Sequence, residues 1–280
     1  MEEFSPSRTA LGAAMHRAAH QFLDAPLILD DPLALRIIGR DAERGLRDGS
    51  ARQVQSQSFA MRAFLVVRSR FTEDGFSDAY MRGVRQYVVL GAGLDTFAYR
   101  SAAKYPDVAF FEVDHPATQT WKRKRLAEEG ISIPHRVTYA PVDFERETLR
   151  DGLALAHFDF SEPAFFAWLG VVPYLTRDAV IDTLKLVATM KAGSEIVFDY
   201  PELRKGSEPD GIDELAQRVA AIGEPLLSRF DPAALAHELR DLGFSKVDDF
   251  GAAALNMRYL DARDDGLRLK GRGHIMRAQV

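Results

Sequence analysis

The apolar positions of this chain follow two different periods. Up to about Met81 they recur at helical spacing, first in an alanine-rich stretch from Ala10 to Leu23 and again over Ala51 to Phe71. Between these stretches, Asp31-Pro32 has the order of a helix cap followed by proline at the first helical position. Residues 1–82 are therefore predicted to form a succession of helices.

Beyond Met81 the pattern becomes one of strands that alternate with helices. Short runs rich in β-branched and aromatic residues are followed by turn residues and mostly by a helical segment, such as Arg177–Met190. Continuous apolar strands in this alternation indicate a parallel sheet that is covered on both faces. The runs are Tyr87–Leu90, Ala109–Val113, Val137–Ala140, Ala164–Leu169 and Glu195–Tyr200.

The C-terminal part of the chain carries a different pattern. Asp231-Pro232 opens a helix that runs to Leu242, and the residues at 244–250 and 274–280 have the character of two strands. We expect these strands to form a hairpin that closes the sheet. A polar helical segment at 201–229 follows the fifth strand, where a sheet of this kind can carry a lid.

These patterns predict one α/β domain that spans residues 1–280. No internal repeat, low-complexity segment or long linker divides the chain. The expected fold is a Rossmann-like, doubly wound and mostly parallel sheet of seven strands. Residues 1–82 and 201–229 are predicted to form a helical cap over this sheet.

The charge balance argues against a polyanionic partner. Lys and Arg total 36 against 41 Asp and Glu, a net charge of −5, so we expect no nucleic-acid partner. We assign the basic cluster at 122–125 to a solvated helix face that pairs with Glu128 and Glu129. No run approaches the ~20 apolar residues that span a bilayer, so we expect no membrane partner and a soluble, cytoplasmic protein.

Cysteine and histidine usage bears on metal chemistry. The chain has no cysteine, which removes disulfides, thiolate metal sites and cysteine nucleophiles. Its 7 histidines show no metal-ligand spacing, and we assign His16 and His20, on the alanine-rich helix, to surface or packing roles. We expect no metal at the site. A homodimer stays an open prediction for the assembly.

The turn after the first strand is the leading candidate for ligand binding. In QYVVLGAGLDTFAYR, Gly91, Ala92 and Gly93 bring the backbone close to a ligand at the carboxyl ends of the strands. A dinucleotide fingerprint needs a third glycine where Thr96 stands, and Asp95 would place a carboxylate beside a pyrophosphate. A cationic ligand without phosphate, such as S-adenosylmethionine, tolerates both Thr96 at the third glycine position and the carboxylate of Asp95. Taken alone, the glycines also fit a tight turn and Asp95 a helix cap.

Acidic residues end the next two strands. Asp114 in FFEVDHP lies about twenty residues beyond the glycine loop, where an acid binds ribose hydroxyls. Asp143 in PVDF can accept from an adenine amino group while Phe144 packs on the ring. His115 either approaches the cofactor or caps the turn. Each acid alone also fits a solvated loop, but three consistent contacts at successive strand ends favour S-adenosylmethionine.

These residues carry a resemblance to a known family. The segments VVLGAGLDTFAYR, FEVDHPATQTWKRKRL and AWLGVVPYLTRDAV resemble the leucine carboxyl methyltransferase-like family of class I S-adenosylmethionine-dependent methyltransferases, including its bacterial polyketide O-methyltransferase branch. The resemblance extends from the N-terminal helices to about Asp199. It implies that Gly91, Asp114 and Asp143 bind the cofactor.

The same resemblance implies contacts at the methionine end of the cofactor. The family holds the cofactor carboxylate with an arginine from the helix before the sheet, which implies Arg68 in VVRSRF or, by a small shift, Arg70. Leu169 and Gly170 follow the fourth strand, also near this end of the cofactor. Relatives of the leucine-directed enzymes usually carry a glutamate there, where this chain has WLGVV. The departure favours the small-molecule branch over methylation of a protein C-terminal leucine.

Three residues are predicted to act on the methyl acceptor. Tyr174 and Tyr200 follow strands on the ligand side and offer catalytic hydroxyl groups, although each also fits a packing role. Arg229 is a candidate donor to the substrate. Because no base stands beside a nucleophile, and a carboxylate needs none at pH 7, we expect O-methylation of a small organic carboxylate to a methyl ester.

Other functions stay open at this point. A phenolic or nitrogen acceptor would change the substrate but not the reaction class. A nicotinamide-dependent oxidoreductase shares the strand, loop and helix at the start of the sheet, together with an acid at Asp114. A protein that binds the cofactor without turnover is the third alternative.

Overall fold

The computed structural model describes residues 8–50, 59–143, 146–203 and 223–280, together with residues 217 and 220. Phe144 and most of the predicted insertion at 201–229 lie outside the described residues. Within the described part of the chain, no helix is long and apolar enough to cross a membrane.

Seven strands form one sheet, as the sequence pattern predicts. They are β1 Gln86–Leu90, β2 Ala109–Asp114, β3 Val137–Pro141, β4 Ala164–Trp168, β5 Glu195–Pro201, β6 Lys246–Phe250 and β7 Gly273–Gln279. Their order is β3-β2-β1-β4-β5-β7-β6. Strands β1 to β5 are parallel, and β7 runs antiparallel to both of its neighbours. The predicted doubly wound α/β fold is confirmed.

The central strands are buried on both faces. In β1, Val88 and Leu90 belong to the hydrophobic cluster on one face of the sheet, whereas Tyr87 and Val89 belong to the cluster on the other. Because successive side chains of a strand point to opposite faces, a strand covered by helices on both sides is expected to be largely apolar. This is the physical reason that the sequence shows continuous apolar runs here.

Helices precede, connect and follow these strands. They are α1 Arg8–Leu23, α2 Ala34–Ile38, α3 Arg40–Arg47, α4 Phe59–Met81, α5 Phe97–Ser101, α6 Pro116–Glu128, α7 Leu149–Leu155, α8 Arg177–Ala188, α9 Pro232–Asp241 and α10 Ala252–Tyr259. A short 3-10 helix, Val172–Tyr174, follows β4. Local caps set several of the starts: the Asp231 carboxylate accepts from Ala234 N at 3.0 Å, with Pro232 in the first turn.

The start of α2 differs from the sequence prediction. It begins at Ala34 and not at Pro32. Asp31 Oδ1 accepts from Leu33 N at 3.1 Å, while Asp31 Oδ2 accepts from the Thr96 hydroxyl at 2.6 Å. The turn at Asp31 therefore serves a tertiary contact with the loop after β1, which delays the helix.

The N-terminal helices occupy two different places. Helix α4 packs on the sheet, where the Phe76 ring lies 4.7 Å from Tyr87 and 5.6 Å from Phe165 between centroids. Helices α1 to α3 form a separate apolar cluster that also includes Leu94 and Leu126. The predicted cap at residues 1–82 is thus divided: α4 is a layer of the core, and α1 to α3 lie beside the carboxyl ends of β1 and β2.

The two C-terminal strands pair as predicted, with an additional helix between them. β7 pairs with β5 and with β6, so the last strand of the chain is inserted between two earlier ones. Arg277 on β7 donates to Glu195 Oε2 on β5 at 2.8 Å. Helix α10 lies in the connection from β6 to β7 and was not predicted.

One assignment from the sequence is wrong. Lys122 is not part of a solvated helix face, because its side chain is 1% exposed and its Nζ donates to Glu112 Oε1 at 2.8 Å. Lys124 and Arg125 do pair with Glu128 on the surface, as expected. The spacing of charges along α6 could not reveal that β2 carries a buried carboxylate beneath this helix.

Candidate functional site

The glycine loop after β1 lies against the end of β2 and the turn after β4. Gly91 N and Ala92 N both donate to Val113 O, at 2.8 and 3.1 Å. Gly91 has a φ of 70°, and a Cβ there would lie 2.3 Å from Val171 Cγ2. Positive φ and this close approach both require glycine at position 91.

Asp114 is joined to the glycine loop by its side chain. Its Oδ2 accepts from Gly93 N at 2.6 Å, and its Oδ1 accepts from His115 N at 2.7 Å. Burial raises the pKa of Asp114 above its usual value, against the lowering effect of these two N–H groups. A carboxylate has about four acceptor positions, so the two used here leave capacity for two hydroxyl donors.

Asp95 and His115 both accept hydrogen bonds from the starts of helices. Asp95 Oδ1 accepts from Phe97 N, the first residue of α5, at 2.8 Å, although the N-cap of this helix is Thr96. His115 is the N-cap of α6, where its Nδ1 accepts from Ala117 N at 3.2 Å. The capping alternative is therefore realised for His115. Their predicted contacts with the cofactor stay predictions.

The end of β3 brings Asp143 to the same edge of the sheet. Val142 N donates to Asp114 O at 3.0 Å, so the chain leaves β3 directly beside Asp114. Asp143 Oδ2 lies 3.5 Å from Arg146 Nε. The third strand-end acid of the sequence prediction is thus adjacent to the second.

Helix α1 covers the glycine loop from outside the sheet. A Cβ on Gly93 would lie 3.2 Å from Ala10 Cβ, and Arg17 Nη2 donates to Leu94 O at 2.6 Å. Arg17 Nε also lies 3.6 Å from Asp31 Oδ2. The loop is therefore held between β2 on one side and the N-terminal helices on the other.

Arg68 on α4 reaches the ends of β4 and β5. Its Nη1 donates to Asp199 Oδ2 at 2.7 Å, and Asp199 Oδ1 accepts from Gly170 N at 2.6 Å. Gly170 has a φ of 71°, and a Cβ there would lie 2.8 Å from Arg68 Nη2. Arg70 instead pairs with Asp74 and is 48% exposed. Of the two arginines left open by the sequence, the structure brings Arg68 to the site.

Tyr174 lies at the same edge, beside the start of α1. A side-chain hydrogen bond joins it to Thr9, and burial is the largest cause of a pKa raised above the usual value for tyrosine. Thr9 N donates to Glu224 Oε2 at 3.3 Å. The chain around Arg229 docks on the same turn, where Leu227 N donates to Pro173 O at 2.7 Å.

Tyr200 belongs to a different cluster. It is 1% exposed, and its hydroxyl donates to Asp249 Oδ1 at 2.6 Å. Asp249 Oδ2 lies 2.7 Å from His274 Nδ1, so β5, β6 and β7 are linked by these side chains. The pKa of Tyr200 is raised, first by burial and next by the hydrogen bond to Asp249. Tyr174 lies in the turn after β4, at the same edge of the sheet as Arg68. The Tyr200 hydroxyl belongs to the separate network with Asp249.

His16 on α1 was not predicted as a site residue. Among the described residues, its Nδ1 is one of three buried side-chain polar atoms without a hydrogen-bond partner, with Arg68 Nε and Arg100 Nε. Burial lowers the pKa of His16 to about 4, and the charges of Arg62 and Arg68 act in the same direction. The imidazole is therefore neutral at pH 7.

The sequence contained a signal for one of the missed residues. Asp199 is an acid at the end of β5, so the rule that selected Asp114 and Asp143 would also have selected it. Arg17 had no such signal, because its contact with Leu94 O follows from the packing of α1 against the glycine loop. Within the described residues, no group of three acidic or histidine side chains could hold a metal ion.

The residues at this edge fit S-adenosylmethionine. A glycine loop exposes its backbone, and the Asp114 carboxylate on β2 can accept from ribose hydroxyls. Arg68 has a buried Nε without a partner, which can donate to the carboxylate of the amino-acid end. The two groups lie at strand ends on opposite sides of β1.

Relatives in sequence indicate the family of this chain. The profile of the leucine carboxyl methyltransferase family matches residues 10–188. A protein of Bacillus subtilis (strain 168), named provisionally as the S-adenosyl-L-methionine-dependent methyltransferase YktD, is 30% identical over 295 residues, which cover 95% of each chain. A protein of Mycobacterium avium (strain 104) with the same provisional description is 35% identical over 221 residues, which cover 75% of this chain and 70% of its own.

Solved structures share the fold. A protein of Thermobifida fusca YX, named provisionally as a methyltransferase, has a TM-score of 0.59 at 17% identity and covers 99% of this chain and 96% of its own. A DUF574 family protein of Streptomyces avermitilis MA-4680 has a TM-score of 0.59 at 20% identity and covers 96% of both chains.

The family match extends over more than half of the chain and includes the glycine loop, Asp114, Asp143 and Gly170. It identifies the cofactor as S-adenosylmethionine, which decides against the nicotinamide-dependent oxidoreductase. The chain therefore belongs to the leucine carboxyl methyltransferase family of S-adenosylmethionine-dependent methyltransferases.

Proposed function

We propose that this protein methylates a carboxylate oxygen of a small organic molecule and releases a methyl ester. The observation that carries the proposal is a pair of hydrogen-bond donors, Arg68 and Tyr174, at the carboxyl edge of the sheet. Tyr174 has a raised pKa and stays a hydrogen-bond donor at pH 7, and His16 has a pKa of about 4. The site thus offers donors to an anion, and its imidazole is a weak base.

A weak base favours an acceptor that is already ionised. A phenol with a pKa near 10 would have to give its proton to a group whose pKa is about 4. That transfer is thermodynamically uphill. A carboxylate avoids this cost because it is deprotonated at pH 7.

The proposed roles of the residues follow from their chemistry. Tyr174 and Arg229 would donate to the acceptor carboxylate, because a buried anion without donors is costly. Tyr200 stays in the proposal as a support for β5, through its bond to Asp249. S-adenosylmethionine, when bound, supplies a methyl group that is already activated on a sulfonium. The protein then needs mainly to align the acceptor oxygen and exclude water.

The proposed reaction balances without a base. One carbon–oxygen bond forms as the carbon–sulfur bond breaks, and the products are the methyl ester and S-adenosylhomocysteine. No proton is released, so no general base is required. The acceptor is proposed to be a small molecule, in line with Gly170 in place of a glutamate after β4.

A product assay tests the chemical class of the acceptor. Methyl-labelled S-adenosylmethionine is incubated with a panel of aromatic and aliphatic carboxylic acids, each paired with the phenol or alcohol of the same skeleton. We expect label in the acid products only. Mild alkali should then release it as methanol, because esters hydrolyse under conditions that leave aryl ethers intact.

The Tyr174→Phe variant tests whether the tyrosine hydroxyl donates to the acceptor. It should lower kcat/KM for the acceptor by roughly 10-fold, the worth of about one hydrogen bond to a charged group, while the affinity for S-adenosylhomocysteine is unchanged. Label that stays on the product through alkali would refute ester formation. Cofactor binding without any turnover on acids or phenols would instead favour a binding protein.

A glycine substitution tests the loop as a cofactor contact. Gly93→Val should reduce binding of S-adenosylhomocysteine by more than about 100-fold, because a side chain would fill the space beside the loop and push against Ala10. Gly83→Val is the control, since Gly83 also has a positive φ, of 100°, but no atom lies within 4 Å of its Cβ position. Both variants should remain folded, with binding lost only in the first. Normal binding by folded Gly93→Val would show that the loop is only a turn.

A further inference from the structure

The two halves of the glycine loop are held by different parts of the chain. The first half, residues 91–93, hydrogen-bonds to the end of β2. The second half, residues 94–96, is held by two side chains of the N-terminal segment, Arg17 and Asp31. These side chains lie 77 and 65 residues before the loop residues that they contact. The conformation of the second half therefore depends on how the N-terminal helices dock.

The hydroxyl group of Thr96 is used for this tertiary contact. Thr96 is the N-cap of α5, a position at which a threonine hydroxyl usually accepts from the first turn of its own helix. In this chain the side chain makes no such bond to α5, and its hydroxyl donates to Asp31 Oδ2 at 2.6 Å. The residue that stands at the third glycine position of a dinucleotide fingerprint thus connects the loop to the N-terminal segment.

The carboxylate of Asp31 is held in one orientation. It is fully buried, and its Oδ1 accepts from Leu33 N at 3.1 Å. Two guanidinium groups flank it, with Arg17 Nε 3.6 Å from Oδ2 and Arg100 Nε 3.7 Å from Oδ1. Rotation of the carboxylate would separate it from both cations in a buried environment, which is costly. Asp31 is therefore a rigid acceptor for the Thr96 hydroxyl.

Arg17 holds the loop on the other side of Asp95. Its Nη2 donates to Leu94 O at 2.6 Å, and its Nε faces Asp31. One guanidinium thus contacts both the loop and the carboxylate that holds Thr96. Because Leu94 and Thr96 are the chain neighbours of Asp95, the backbone is fixed on both sides of this predicted cofactor contact.

We propose that Asp31 and Arg17 are positioning residues of the cofactor loop, which fix its second half and so couple the docking of helices α1 to α3 to the binding of S-adenosylmethionine. A loop that samples other conformations binds with an affinity reduced by the fraction of molecules in the competent conformation. The two residues act through Leu94 and Thr96, without a contact of their own to the cofactor. The inference uses the cofactor of the family and does not depend on which acceptor is methylated.

Calorimetry on Thr96 variants tests the contact with Asp31. Thr96→Val replaces the hydroxyl with a methyl group of similar size and should weaken the binding of S-adenosylhomocysteine by about 10-fold, within the usual range of coupling between sites. Thr96→Ser keeps the hydroxyl and should bind within about threefold of the wild type. Unchanged affinity in a folded Thr96→Val protein would overturn the proposal.

A buried serine at the opposite edge of the sheet provides the matched control. The Ser194 hydroxyl accepts from Ala164 N at 3.1 Å and donates to Lys191 O at 2.7 Å, at the start of β4 and β5. Ser194→Ala should therefore lower the free energy of unfolding but leave the affinity for S-adenosylhomocysteine unchanged. A loss of affinity as large as that of Thr96→Val would mean that general destabilisation explains both, against the proposal.

A double-variant cycle tests whether Asp31 acts through Thr96. Asp31→Asn removes the charge that orients the carboxylate between the two arginines, so it should also weaken the binding of S-adenosylhomocysteine. If the two residues work through one contact, the double variant should bind no more weakly than Asp31→Asn alone. Losses that multiply would show two independent effects and contradict the positioning role.

Hydrogen exchange tests the coupling in the opposite direction. By linkage, a cofactor that depends on docked helices must stabilise their docking. Addition of S-adenosylhomocysteine to the unmodified protein should slow amide exchange in residues 28–38, which contain Asp31 and α2, by at least about fivefold, together with residues 94–101. Slowing in the loop alone would overturn the coupling, even if the variants fold poorly.

The same measurement on Thr96→Val separates this coupling from a direct contact. If the helices respond through Thr96, the slowing of residues 28–38 should fall by the factor that the variant loses in affinity. Slowing equal to that of the wild type would show that the cofactor reaches the helices without the loop, and the positioning role would be wrong.

Discussion

Replacing Asp114 with alanine is expected to weaken the binding of S-adenosylmethionine and S-adenosylhomocysteine by at least about 100-fold. Two hydroxyl-to-carboxylate hydrogen bonds are each worth roughly 1.5–3 kcal/mol, and their joint loss corresponds to a factor of about 10² to 10⁴. The same change removes the acceptor of Gly93 N and His115 N, so the glycine loop also loses a support.

Calorimetry on folded protein measures this effect. Asp114→Asn keeps an acceptor oxygen for Gly93 N but loses the charge, so its affinity should fall between those of the wild type and the alanine variant. Asp182→Ala is a suitable control, because Asp182 is 70% exposed on α8 and pairs with Lys185. Unchanged affinity in a folded Asp114→Ala protein would show that this acid does not bind the ribose.

Replacing Lys122 with methionine is expected to lower the free energy of unfolding by about 3–5 kcal/mol. The Lys122 and Glu112 side chains are 1% and 0% exposed, so removal of the cation leaves a buried carboxylate without its counter-charge. Burial already raises the pKa of Glu112, and the Lys122 charge opposes that rise. Tyr99 would remain as a donor to Glu112, at 2.8 Å from Oε2.

Urea unfolding at pH 7 measures this loss against a matched surface change. Lys124→Met removes the same kind of side chain two residues away. Lys124 is 75% exposed, and its Nζ lies 3.9 Å from Glu128 Oε1. This variant should change the free energy of unfolding by less than about 0.5 kcal/mol.

A double variant distinguishes the charge from packing. Adding Glu112→Gln to Lys122→Met should restore stability by about 2 kcal/mol, because a neutral amide costs less to bury than a carboxylate. Lys122→Met alone within about 1 kcal/mol of the wild type would contradict the importance of this pair.

The order of elements was readable from the sequence because burial imposes it locally. β4 is apolar at every position and β1 at every position after Gln86, and the sequence prediction locates both to within one residue. The start of α2 was misplaced because Asp31 binds Thr96 of the loop after β1. Helix α10 was missed because a short helix between β6 and β7 has no long periodic stripe.

The site was predictable where one residue type at a strand end suffices. Gly91, Asp114 and Asp143 follow from strand-end chemistry, and the structure brings all three to one edge of the sheet. Tyr174 and Tyr200 were equivalent in the sequence, because both follow strands. Their hydroxyl groups differ only through tertiary contacts: one is beside Thr9, and the other donates to Asp249 on β6.

The sequence by itself determined the strand–helix alternation, the glycine loop and the acids that follow β2 and β3. These features depend on the chemistry of neighbouring residues, which spacing along the chain expresses. Only the tertiary structure decided that Arg68 and not Arg70 reaches Gly170 and that Lys122 is buried against Glu112. Those contacts join distant segments, and the desolvation and charge that define them exist only after the helices have packed on the sheet.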